Sequence, residues 1–156
     1  MYNEIFMKEA VNLSRQCFET GFGGPFGAVV VKQGIIIGKG SNAVTSLNDP
    51  TAHAEIMAIR EACRHLETFQ LTGCEIYTSC EPCPMCLGAI YWARPSAVYY
   101  AASRQDAANA GFDDSFIYDE ITVPHFDRKI SIEQNHPDEA IAVFQEWIAW
   151  ENKKAY

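Results

Sequence analysis

His53-Ala54-Glu55 and, further along the chain, Pro82-Cys83-Pro84-Met85-Cys86 are the residues best suited to chemistry. His53, Cys83 and Cys86 supply three ligands for one zinc ion. Three protein ligands leave a tetrahedral metal one open position, which separates a catalytic zinc from a structural one. A water activated there is a strong nucleophile near neutral pH. Glu55, two positions after the histidine, is a carboxylate able to work beside it. The pattern points to hydrolytic attack on an electrophilic carbon.

The spacing refines these roles. Cys83 and Cys86 are three apart at a predicted helix start, so they share a face. A helix N-terminus also favours the thiolate form that binds metal. His53 and Glu55, two apart, cannot lie side by side on one helical face. Glu55 is therefore read as reaching the activated water and not as a fourth ligand. Ala54 between them is small and leaves its backbone N–H open to a substrate. Cys80 also precedes Cys83 by three, and a closed set of His53 with three cysteines would be structural and inert. That arrangement competes with the open site, as does a thioredoxin-like Cys-x-x-Cys. The latter leaves His53-Ala54-Glu55 without a purpose.

The elements that must position these residues follow from periodicity. Glu4 to Thr20 carries Ile5, Phe6, Ala10, Leu13, Cys17 and Phe18 as a helical stripe, and Gly21 stops it. Ala28 to Val31 and Ile35 to Gly38 flank Lys32-Gln33-Gly34 as a hairpin. Ala52 to His65 is predicted helical, with Asp49-Pro50-Thr51 as its capping segment. Glu75 to Ser79 is a strand, Cys83 to Ala93 a helix with Pro84 in its first turn, and Ala97 to Ala101 a strand. The order α-β-β-α-β-α-β predicts an α/β fold with a mixed sheet covered on both faces. Beyond Ser103 the pattern weakens until a last helix over Pro137 to Lys153. There Ile141, Val143, Phe144, Trp147, Ile148 and Trp150 do not fit one stripe, so that helix needs cover on two sides. A second subunit or a groove of its own domain would each provide it.

Composition bounds the rest. The chain has 156 residues, 48% of them hydrophobic, which fits one domain. Its formal charge of −8 makes nucleic acid a poor partner. No signal peptide and no membrane-spanning run is visible, so a cytoplasmic location is expected. The six cysteines are then expected to be reduced, in metal-binding or packing roles.

His-Ala-Glu followed by Pro-Cys-x-x-Cys resembles the zinc-dependent cytidine/deoxycytidylate deaminase superfamily, whose signature carries the zinc ligands and an acid/base glutamate. Gly24-Pro25-Phe26-Gly27, Asn48 through Glu55, Tyr77 through Pro95 and the Ala-Gly-Phe-Asp-Asp-Ser-Phe-Ile-Tyr run ending at Tyr118 are similar to its guanine-acting branch, as is the ending Lys153-Lys154-Ala155-Tyr156. The resemblance implies the three-layer αβα deaminase fold, one zinc per subunit, and hydrolysis of guanine to xanthine and ammonia. It implies a single domain over 1–156 in a homodimer, with the segment at about 137–156 swapped to close the partner's site. By the same carry-over, Asn42 hydrogen-bonds the purine, Phe26 and Trp92 line its pocket, Asp114 is a second acid near the departing amino group, and Tyr156 helps to close the pocket. By residue type alone, Asp114 suits a helix cap and Asn42 a strand-ending turn. Another amino-heterocycle, a tRNA adenosine or a non-catalytic zinc module are the competing readings. Glu55 counts against the module, which has no use for an acid beside the metal.

Overall fold

The computed structural model describes residues 2–155. Its first unit runs to Asp114 and contains a four-stranded sheet in the order β2-β1-β3-β4. Helix α1 (Glu4–Glu19) leads into β1 (Gly27–Lys32) and β2 (Ile35–Ser41). A short turn of helix, α2 (Val44–Leu47), precedes α3 (Ala54–Leu66). Then come β3 (Cys74–Cys80), α4 (Pro84–Ala93), β4 (Ala97–Ala102) and α5 (Arg104–Asn109). β1 is antiparallel to both β2 and β3, while β3 and β4 are parallel and joined through α4. The mixed sheet expected from the element order is thus present.

Residues 28–31 of β1 form an unbroken apolar run because both faces of the strand are covered. Val29 and Val31 pack with Tyr77 against Met7 and Ala10 of α1. Ala28 and Val30 point the other way and pack with Ile76 against Ala54, Ala58 and Ala62 of α3 and Ile90 and Ala93 of α4. These are the three layers.

The seating of α3 decides where the site forms. Ala54, Ala58 and Ala62 recur every four residues, so they make one smooth helical face. Gly38 and Gly40 of β2 lie under it. A Cβ on Gly38 would come within 2.5 Å of the Ala58 carbonyl oxygen, and one on Gly40 would strike the Ala54 carbonyl oxygen. Bare glycine therefore lets the helix backbone rest directly on the strand.

The structure differs from the sequence expectation at several edges. Asp49 does not cap α3: its Oδ1 accepts from the Thr51 N–H and hydroxyl at 2.8 and 2.7 Å, closing a local turn. The N-cap is His53, in extended backbone conformation, with no side-chain capping bond. Helix α5, which hydrophobic periodicity did not reveal, is set by a capping box between Ser103 and Asp106.

The second unit, from Ser115 onward, comprises α6 (Ser115–Thr122), a 3-10 turn at His125–Asp127 and α7 (Pro137–Ala149). α7 ends at Ala149, four residues before the expected Lys153, and its C-cap Trp150 has an extended backbone. Its apolar side chains are exposed on more than one face, including Val143, Phe144, Ile148 and Trp150. Among the described residues all six cysteines are free thiols. No described helix is long and apolar enough to cross a membrane.

Candidate metal centre and active site

Two helix N-termini meet at the carboxyl end of β3, where ligand sites of open α/β sheets form. His53 is the N-cap of α3 and Cys83 the N-cap of α4. An N-cap residue keeps extended φ/ψ, so its side chain leaves the helix axis instead of joining a helical face. That turns His53 and Cys83 toward one point. Cys86, on the first turn of α4, reaches the same point from the helix.

The His53 Nδ1 lies 3.6 Å from the Cys83 Sγ and 3.6 Å from the Cys86 Sγ. Standard zinc–nitrogen and zinc–sulfur bonds at a tetrahedral angle require an N···S separation of about 3.6 Å. The three ligand atoms lie within 4.8 Å of one another. The donor set therefore fits zinc in chemistry and in spacing.

The three groups share protons through their contacts. Cys83 is drawn down to about 4, chiefly by the Cys86 thiol donating to it, with His53 adding to the effect. Cys86 is pushed up as the donor of that pair and by burial. His53 is raised, first by its hydrogen bond with Cys83. The Cys86 N–H also points to the Cys83 sulfur at 3.5 Å. Cys83 sits at the N-terminus of α4, where partial positive charge favours a thiolate.

Cys80 is not in the metal-binding cluster. Its Sγ donates to the Ser103 carbonyl at 3.6 Å, and burial raises its thiol to about 11. Strand β3 ends at this residue, so its side chain follows the sheet and not the α4 start. The competing closed site has no geometry here.

Glu55 is 6% exposed and outside the ligand cluster. Its Oε2 lies 3.5 Å from the Cys86 Sγ. Burial raises the Glu55 carboxyl above its ordinary range. Asp114, the residue before α6, is also raised, again mainly by burial.

A cavity of about 170 Å³ opens in front of these groups. His53, Cys83, Glu55 and Asp114 line it, with Asn42 and Phe26 on its walls. Asn42 follows β2 directly, and its Oδ1 accepts from the Gly24 and Val44 N–H groups, both at 3.3 Å. The amide's donor nitrogen is then the end left to meet a ligand. Phe26 stands edge-to-face with Phe112, ring centroids 4.9 Å apart.

Three other expected residues have different placements. The Ala54 side chain is packed into the core, while its N–H, at the first helical position, has no intrahelical acceptor. Trp92 is 63% exposed and absent from the cavity wall. It lies six residues past Cys86, about 240° around the helix, so it faces away from the metal cluster. Tyr156 lies outside the described residues. Phe112, Glu81 and Arg104 line the cavity without having been singled out from sequence. Phe112 sits inside the Ala-Gly-Phe-Asp-Asp run that marked the resemblance, which was its one available signal. The Glu81 carboxylate accepts from the Arg104 N–H at 3.0 Å and ties the end of β3 to the start of α5.

Comparison with known proteins bears on the same residues. The family described as the cytidine and deoxycytidylate deaminase zinc-binding region matches residues 1–102. The chain is 58% identical to guanine deaminase of Bacillus subtilis (strain 168), over all of both chains. The X-ray structure of guanine deaminase from Bacillus subtilis superposes with a TM-score of 0.97, covering 100% of this chain and 99% of that one. The tRNA-specific adenosine deaminase of Aquifex aeolicus is 45% identical over 126 residues, 80% of this chain and 82% of that one.

Proposed function

This chain belongs to the cytidine and deoxycytidylate deaminase zinc-binding family, and we propose that it hydrolyses guanine to xanthine and ammonia. The observation that carries the substrate is the full-length similarity to a guanine deaminase in sequence and fold. The cavity supports it. The Phe26 and Phe112 rings, the Asn42 amide and the Glu55 and Asp114 carboxyls are among the groups lining about 170 Å³, a lining suited to a small planar base.

His53, Cys83 and Cys86 would hold the zinc, one ion per subunit. When bound, zinc supplies the Lewis acidity that makes water nucleophilic near neutral pH. The chain's own residues do the rest. Phe26 and Phe112 form an apolar wall for a planar ring, and the Asn42 amide donates to a ring acceptor, turning the amino-bearing C2 toward the metal centre. Glu55 takes a proton from the attacking water and delivers it to ring N3 as the new C2–O bond forms. The C2–N bond then breaks, and the second proton, carried by Glu55 with Asp114 beside it, leaves with nitrogen as ammonia. A buried carboxyl with a raised pKa suits this two-way traffic.

Assembly belongs to the same proposal. A homodimer in which the segment at about 137–156 crosses to the partner would cover the apolar faces of α7 and bring Tyr156 to the partner's pocket. The supporting observation is that Phe144 is 69% exposed and Ile148 equally so. A net charge of −8 disfavours tRNA as substrate, and the six free thiols suit the reducing cytoplasm.

The test is ammonia release from guanine, guanosine, adenine, cytosine and tRNA at equal concentrations. Guanine should be turned over fastest. No release from guanine would overturn the reading, and preferential release from tRNA would move the chain to the adenosine branch.

A further inference from the structure

Asn42 can read a ring only if its own backbone is fixed, and the structure assigns that task to Cys17, a buried residue of α1 outside the cavity. The inference rests on the reading of Asn42 as a substrate contact.

Cys17 is 3% exposed, and its Sγ donates to the Asn42 carbonyl at 3.1 Å. Burial raises the thiol above its ordinary range, so it keeps the proton it donates. The Cys17 carbonyl accepts from the Phe22 N–H at 3.0 Å and the Gly23 N–H at 3.4 Å. One residue therefore grips the glycine-rich loop with its backbone and the Asn42 turn with its side chain. The loop in turn grips Asn42, because the Gly24 N–H donates to Oδ1. The Asn42 N–H donates to the Phe26 carbonyl at 3.1 Å, linking the amide to the aromatic wall.

The loop fits only because Gly23 has no side chain. A Cβ there would strike the Asn42 carbonyl oxygen and reach 2.9 Å from Oδ1. Asn42 is thus held at its N–H, its carbonyl and its Oδ1, and Cys17 provides the hold on the carbonyl. The other links come from the loop and the Val44 N–H, so losing Cys17 loosens the amide without removing it. Cys17 is a positioning residue, acting on the substrate through Asn42.

The test uses Cys17→Val, which keeps a small apolar side chain and removes the donor, and Cys17→Ser, which keeps a donor. Asn42→Ala is the reference. Each is measured for kcat and KM with guanine, zinc content and thermal midpoint. Cys17→Val should raise KM roughly 3- to 10-fold, as loss of one hydrogen bond predicts. Its kcat should stay within about twofold and its zinc content should match the parent. Cys17→Ser should return KM to within about twofold of the parent. A Cys17→Val enzyme with lowered midpoint and unchanged KM would make the residue purely structural and overturn the inference. A raised KM in both Cys17 variants would also overturn it, since the donor would then not matter. An unchanged KM in Asn42→Ala would sink the reading of Asn42 itself, and the inference with it.

Discussion

The Cys86 Sγ and the Glu55 Oε2 lie 3.5 Å apart, so the carboxylate borders the metal donor set without belonging to it. That adjacency separates two jobs that the same residue types perform elsewhere. A ligand carboxylate would fill the coordination sphere; one beside it moves protons.

Glu55→Gln should therefore keep the fold and the zinc while losing turnover. General acid–base catalysis contributes about 10²- to 10⁴-fold, so a loss of at least that order is expected in ammonia release. Metal analysis of the same sample should show unchanged zinc. A variant that loses its zinc would place Glu55 among the ligands instead.

Cys80 and Cys83 should behave differently on conversion to serine. Cys83→Ser removes a cluster ligand and should lower bound zinc well below one per chain. Cys80→Ser alters a thiol bonded to the Ser103 carbonyl and should retain it. Zinc measured on both proteins after dialysis against a weak chelator decides, and equal losses would restore the closed site.

Gly40→Ala should destabilise the protein through the seating of α3. The added methyl meets the Ala54 carbonyl, which is helix backbone. Overpacking of this kind costs about 1–3 kcal/mol, readable as a lower urea midpoint. Because Ala54 adjoins both His53 and Glu55, activity should fall more than the folded fraction does.

Alkaline stability should track Tyr77. Burial, and a hydroxyl donating to the Glu75 carboxylate at 2.8 Å, push this phenol up to about 12 from an ordinary 10.0. The folded state holds the proton more tightly than the unfolded chain. The stabilisation is complete below about pH 10 and is lost as pH rises toward 12. Tyr77→Phe should flatten that part of the curve of thermal midpoint against pH.

Phe144→Glu should weaken self-association if α7 is covered by a second copy. Sedimentation at micromolar concentration should show a dimer for the parent and a shift toward monomer for the variant. A monomeric parent would remove the swapped segment from the proposal.

Residue type and local spacing carried the metal chemistry by themselves. Cys83 caps the turn that carries Cys86, so their pairing is a local property legible without a fold. The alternation and runs that mark α1, β1, α3 and β3 are local too, and their order predicted the mixed sheet. Trp92, expected at the pocket, is exposed and off the cavity wall of the single chain, because the first turn of α4 and not its last faces the cavity. Helix α5 escaped notice because it is six residues long and held by a capping box rather than by an apolar face. Cys80 remained a rival ligand until its sulfur was seen to bond the Ser103 carbonyl, outside the ligand cluster. The approach of His53 to Cys83 needed Gly38 and Gly40 under Ala54, Ala58 and Ala62, a contact between distant segments. The hold of Cys17 on Asn42 is of the same kind, a bond across 25 residues. Sequence determined which atoms could do the chemistry. Only tertiary packing decided which of them meet, because contacts between distant segments depend on how closely helix and sheet approach.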